Sequence, residues 1–178
     1  MTEREKSVEV GVILGSKSDL PLVKKAEEIF ALFRIPWEVT IASAHRTPDD
    51  VACYAESAAR RGIRVLIAAA GLSAALPGVV AAHTSLPVIG IPVSSGTLGG
   101  IDALLAVTQM PPGVPVGSVG IDGARNAALL AVRILALIRP ELGEELRVWR
   151  AKEAEGVRAS RSALDGLPCP PEETLERQ

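Results

Sequence analysis

Four short runs with the character of strands, each closed by small or polar residues, constrain this chain more than any other feature. Val8–Leu14 leads into Gly15-Ser16, and Trp37–Ile41 into Ala42-Ser43-Ala44-His45-Arg46. Val65–Ala70 leads into Gly71-Leu72-Ser73, and Leu86–Pro92 into Ser94-Ser95-Gly96. Runs this short, bounded by turn residues, read as buried strands. Segments with helical spacing lie between them. Ser18-Asp19 starts one, in which Val23, Ala26, Phe30 and Phe33 mark a core face. A second opens with Thr47 as N-cap and Pro48 at the first helical position, and ends near Gly62 after Arg60 and Arg61. Further helices are expected near Leu76–His83, Ile101–Met110 and Asn126–Ile138, with a fifth strand over Val114–Ile121. Strands alternating with helices give a doubly wound parallel α/β sheet.

Composition supports this class. Hydrophobic residues make up 48% of the chain and aromatics only 3%, so the core is built from Val, Ile, Leu and Ala. That suits a parallel sheet covered by Ala-rich helices. Lys and Arg number 19 against 21 acids, a net charge of −2, which argues against a nucleic-acid or membrane-surface role. No unbroken apolar run is long enough to span a bilayer. Cys53 and Cys169 lack metal-ligand spacing and read as free thiols. The charged segment Met1–Lys6 lacks the apolar core of a signal peptide, so a cytoplasmic location is expected. Residues 1–159 read as one α/β domain that includes an outer helix over Glu141–Arg158. Residues 160–178, with Pro168, Pro170 and Pro171, read as a loose tail.

In a parallel sheet all strand C-terminal ends lie along one edge. That sets the turns Gly15-Ser16, Ser43–Arg46, Gly71–Ser73 and Pro92–Gly96 side by side, where α/β proteins hold ligands. Ser16, Ser18 and Ser43 supply hydroxyls, Arg46 a forked charge, and the helix start near Ser18 its N–H groups. Together they suit one phosphate monoester. Neither a G-x-x-x-x-G-K-[ST] loop nor a G-x-G-x-x-G turn is present. Asp19 suits a ribose hydroxyl. The expected ligand is a ribonucleotide monophosphate with a small base, since few aromatics are available for stacking. Taken singly, Ser16, Ser18 and Asp19 serve equally well as turn and cap residues, and His45 and Arg46 as solvated loop residues. Their concurrence on one edge favours a site. His83 reads as a structural residue near a helix end, Asp102 and Asp122 as caps, and Trp37 and Trp149 as packing.

Five segments, in order, carry a resemblance: Gly15-Ser16-Lys17-Ser18-Asp19, Ser43-Ala44-His45-Arg46-Thr47-Pro48, Leu86–Val93, Gln109–Val116 and Asn126–Ala131. From about Val8 to Leu137 the chain resembles the PurE family, the carboxyaminoimidazole ribonucleotide mutases and carboxylases of purine biosynthesis. The resemblance implies a flavodoxin-like three-layer sandwich, a homo-octamer, and a reaction without metal, biotin or ATP. It implies transfer of a carboxyl group from N5 to C4 of aminoimidazole ribonucleotide (AIR), or direct addition of CO2 at C4. By position it makes Ser16, Asp19 and Arg46 substrate-binding residues and His45 the acid/base. Ser18, Ser43, Gly71, Ser73, Ala74 and Leu76 complete the expected binding set, with the Ser94–Gly100 loop as a further wall.

The third turn departs from the family pattern. The common mutase branch has Gly-Gly-Ala-Ala-His-Leu-Pro-Gly, and here Gly71-Leu72-Ser73-Ala74-Ala75-Leu76-Pro77-Gly78 stands, without the histidine. The direct-CO2 branch has Gly-Arg-Ser-Asn, of which Ser73 is matched. Arg46, where that branch carries Lys, sides with the mutases. The first expectation is therefore a mutase acting on N5-carboxyaminoimidazole ribonucleotide (N5-CAIR). The alternatives are an AIR carboxylase using CO2, a related carboxylase of nicotinate-derived cofactor assembly, and a nucleotide-sensing module on the same fold.

Overall fold

A computed structural model describes residues 8–175, so the charged segment before Val8 and the last three residues of the expected tail lie outside it. Five strands form one parallel sheet: β1 (Val10–Leu14), β2 (Trp37–Ile41), β3 (Val65–Gly71), β4 (Val88–Val93) and β5 (Gly117–Ser118). Their order is β2-β1-β3-β4-β5. Six α-helices alternate with or follow them: α1 (Leu20–Leu32), α2 (Pro48–Ala58), α3 (Leu76–Ala82), α4 (Ile101–Thr108), α5 (Ala124–Leu135) and α6 (Pro140–Ala159). This is the doubly wound parallel sheet expected from the alternation and the flavodoxin-like fold that the resemblance implies.

Side chains alternate across the sheet and so divide the core in two. Val10, Val12 and Leu14 of β1, with Val65, Ile67 and Ala69 of β3, pack under α1 and α5. Ile13, Leu66, Ala68 and Ala70 face α2, α3 and α4. The central strands β1, β3 and β4 are buried on both faces, whereas β2 forms an edge with Val39 and Ile41 exposed. Gly11 leaves room over β1: a Cβ there would stand 2.6 Å from the Tyr54 hydroxyl and 2.8 Å from Leu66 Cδ2. That hydroxyl donates to Glu38 Oε1 at 2.8 Å, which ties α2 to β2. Trp37 packs on Phe30 at 5.4 Å and Trp149 meets Phe33 edge-on at 6.3 Å, so both tryptophans serve the core.

Four expectations need correcting. The fifth strand is two residues long, not eight, because Pro115 offers no N–H to a ladder and only Gly117 and Ser118 pair with Ile89 and Gly90. Helix α1 starts at Leu20, after a 3-10 turn over Lys17–Asp19 whose N-cap is Ser16, not Ser18. Helix α5 runs from Ala124 and stops at Leu135. Ala131, Val132 and Leu135 are buried in the core, whereas Leu137 (83% exposed) and Ile138, beyond the helix end, face outward. The expected caps also differ. Asp122 Oδ1 accepts the Ser94 N–H at 2.9 Å and so secures the loop after β4, while the N-cap of α4 is Gly100, not Asp102. Beyond α6 the described tail holds two short 3-10 turns.

Candidate active site

The chain leaves β1 for β2 on one side and returns to β3 on the other, so the strand order reverses between β1 and β3. Ligands of open α/β sheets bind in the crevice at this point. A cavity of about 520 Å³ lies there. All ten residues expected at the site line it: Ser16, Ser18, Asp19, Ser43, His45, Arg46, Gly71, Ser73, Ala74 and Leu76.

The turn after β1 is held by its own side chains. Ser16 Oγ accepts the Ser18 N–H at 3.3 Å, and Asp19 Oδ2 accepts the Ser16 N–H at 3.1 Å. Ser18 Oγ donates to Asp19 Oδ1 at 3.1 Å. The N–H of Asp19 goes to Ser16 O at 3.1 Å. The N–H groups of Ser16, Ser18 and Asp19, expected to face a phosphate, are thus already engaged, as is the Ser18 hydroxyl, and the hydroxyls of Ser16 and Ser43 and the guanidinium of Arg46 remain as donors. Asp19 is 6% exposed. Burial pushes its carboxyl above the usual range, and the nearby Asp122 charge adds to this; the bonds from Ser18 and Ser16 oppose it.

The turn after β2 presents the imidazole and the guanidinium. Thr47 stands at the N-cap of α2, but its Oγ1 accepts the Ser43 N–H at 2.9 Å and makes no helix cap. The Thr47 N–H in turn reaches Ser43 O at 2.9 Å, which folds 43–47 into a closed loop. Arg46 lies across two turns: its Nε donates to Ser43 Oγ at 3.2 Å and its Nη2 to Gly15 O at 2.9 Å. A second cavity, of about 450 Å³, adjoins the first and also contains Ser16, Ser43 and Arg46. Lys17 lines it, a cation that sequence reasoning passed over although it stands between two chosen serines. His45 is exposed and makes no hydrogen bond among the described residues, so its imidazole is available to a ligand. The other histidine, His83, caps α3 and meets Glu56 Oε1 through Nδ1 at 3.0 Å, away from the cavity.

The turn after β3 supplies the opposite wall. Ala70, Leu72, Ala74, Ala75 and Leu76 give it an aliphatic surface, with Ser73 as a polar exception. Of the Ser94–Gly100 loop only Ser95 lines the cavity. Ser95 packs against Gly71, where a Cβ would collide with its hydroxyl, so the two loops approach closely because residue 71 has no side chain. In the sequence Leu72 and Ala75 stand out only as departures from a family pattern, and the fold makes them lining residues. Their place in the wall follows from sheet order, which puts the turn after β3 next to that after β1.

Comparison with known proteins agrees with this architecture. The AIR carboxylase family model matches residues 9–156. The chain is 53% identical over 141 residues to an N5-carboxyaminoimidazole ribonucleotide mutase of Pyrococcus abyssi, covering 79% of this chain and 81% of that protein. A protein of the same name from Mycobacterium tuberculosis is 49% identical over 167 residues, covering 94% and 96%. Among solved structures, Treponema denticola PurE superposes with a TM-score of 0.78 at 29% identity, covering 88% of this chain and 98% of the other. With a family model spanning most of its length and relatives near half identity, the chain belongs to the AIR carboxylase (PurE) family.

Proposed function

We propose that the chain is an N5-CAIR mutase, which converts N5-CAIR to 4-carboxy-5-aminoimidazole ribonucleotide (CAIR) in purine biosynthesis. The observation that carries this reading is one cavity with an unengaged imidazole and a guanidinium on one side and an aliphatic surface on the other. The relatives' names supply the reaction class, a carboxyl shift. Arg46, with the hydroxyls of Ser43 and Ser16 and that of Ser18 once it turns from Asp19, holds the phosphate, and Asp19 a ribose hydroxyl, so that binding energy positions the base. His45 is the acid/base. It gives a proton to the exocyclic nitrogen as the N–CO2 bond breaks and takes the proton from C4 after the C–C bond has formed. An imidazole suits both steps, since it titrates near neutrality.

A second reading is an AIR carboxylase that takes CO2 directly, favoured by Ser73 and by Ala75 in the place of the mutase histidine. Incubating the pure protein with each nucleotide separately decides between them. The mutase forms CAIR from N5-CAIR without added CO2; turnover only of AIR with CO2 establishes the carboxylase. We further propose a cytoplasmic homo-octamer. Exposed Ile101 and Leu105 on α4, and Leu137 and Ile138 after α5, supply apolar surface for subunit contacts.

A further inference from the structure

We propose that Leu72 is a specificity-determining residue: it retains the CO2 released in the cavity, so that the carboxyl group carried in on the substrate nitrogen is the one placed on C4. The inference rests on the mutase reading above. Leu72 has φ of 52°, one of three non-glycine residues with positive φ among those described. A branched side chain is rare in this region, and the core does not call for one here: the side chain is 55% exposed and belongs to neither core cluster. It does line the cavity. Its Cδ2 lies so close to Gly96 that a Cβ there would stand 2.8 Å away. The turn after β3 and the loop after β4 are thus joined twice, by Ser95 over Gly71 and by Leu72 over Gly96. Leu72 stands at the exposed rim of the cavity, against Gly96 and in the same wall as Ala74 and Ala75.

The chemistry explains what such a wall is for. When the carbamate N–C bond breaks, its electron pair stays on nitrogen, which takes a proton from His45. The freed CO2 is neutral and is held only by shape and apolar contact. It then accepts the electron pair of C4, and the C4 proton goes to His45. Between these steps CO2 either stays or exchanges with solvent, and an aliphatic side chain between the loops decides the ratio.

The test uses N5-CAIR labelled with carbon-13 in its carbamate, in buffer with unlabelled bicarbonate and carbonic anhydrase to dilute any CO2 that escapes. Mass spectrometry reads the label in the CAIR carboxylate after a single turnover. Wild type retains most of it. Leu72→Gly relieves the left-handed backbone, keeps its melting temperature, and loses label about fivefold more readily, as fits removal of one partly exposed leucine. Leu72→Asn tolerates the same backbone, offers an amide instead of a hydrocarbon, and also loses label. Retention at the wild-type level in folded Leu72→Gly overturns the proposal. Wild type that forms no CAIR from N5-CAIR overturns the mutase reading itself, and the role of Leu72 with it; that result is read before any variant is made.

Discussion

The two walls of the cavity are built on opposite principles. The wall from the turns after β1 and β2 is polar and internally bonded: Ser16, Ser18, Asp19, Ser43 and Arg46 hold one another before any ligand arrives. The wall from the turn after β3 is aliphatic and depends on close approach of two loops at Gly71 and Gly96. Organising the polar groups in advance lets substrate binding go into orientation instead of ordering. The aliphatic wall offers little to a phosphate and much to a small neutral intermediate. On the roles proposed above, the difference teaches that nucleotide binding and containment of the reacting carbon fall to separate turns of one sheet edge.

If this division holds, loss of the imidazole from the polar wall is the most severe change. His45→Asn lowers the rate of CAIR formation about 10²- to 10⁴-fold, the usual contribution of a positioned acid/base. Calorimetry with a ribonucleotide monophosphate then shows near wild-type affinity. Binding lost together with turnover breaks the assignment of separate roles within that wall. Undiminished turnover refutes the proton transfer.

On the aliphatic wall the largest effect is on stability. Leu76 is 2% exposed and packs in the core cluster beneath α2, α3 and α4. Leu76→Ala lowers the unfolding free energy by about 2–5 kcal/mol, read from urea denaturation. A change within a few tenths of a kcal/mol contradicts its place in the core.

Arg46→Ala tests the phosphate role of the polar wall and is smaller. Charge-assisted bonds of this kind are worth about 1.5–3 kcal/mol, so KM rises about tenfold to a hundredfold while kcat stays near wild type. A fall in kcat at unchanged KM instead assigns Arg46 to the transition state.

The mildest test concerns Asp19. Burial raises its carboxyl in the folded protein, so the folded state binds a proton more readily than the unfolded one. Stability therefore falls as pH rises from the ordinary carboxylate range through the raised value. Asp19→Asn removes that decline, seen as a flatter dependence of melting temperature on pH. An unaltered slope assigns the decline to other groups.

Much of this site was legible in the sequence because its residues are contiguous. Ser16–Asp19 and Ser43–Thr47 lie within single turns, and alternation of strands and helices was enough to bring those turns to one edge. What could not be read depends on contacts between turns. The bond from Arg46 to Gly15 O spans 31 residues. The Leu72–Gly96 and Gly71–Ser95 contacts join loops after different strands. The engagement of the Ser16 and Ser18 N–H groups by Asp19 and Ser16 depends on whether Ser16 or Ser18 becomes the N-cap, and the two serines suit that place equally. Val114–Ile121 has the hydrophobicity of a longer strand, but Pro115 and the edge position limit its pairing to Gly117 and Ser118.

A crystal structure with a bound ribonucleotide monophosphate tests the division of the cavity most directly. The account predicts the phosphate at Arg46 and Ser43, the base between His45 and the Leu72–Ala75 wall, and the imidazole within hydrogen-bond reach of the exocyclic nitrogen. A phosphate seated against Leu72 and Ala74, or a base turned away from His45, contradicts it.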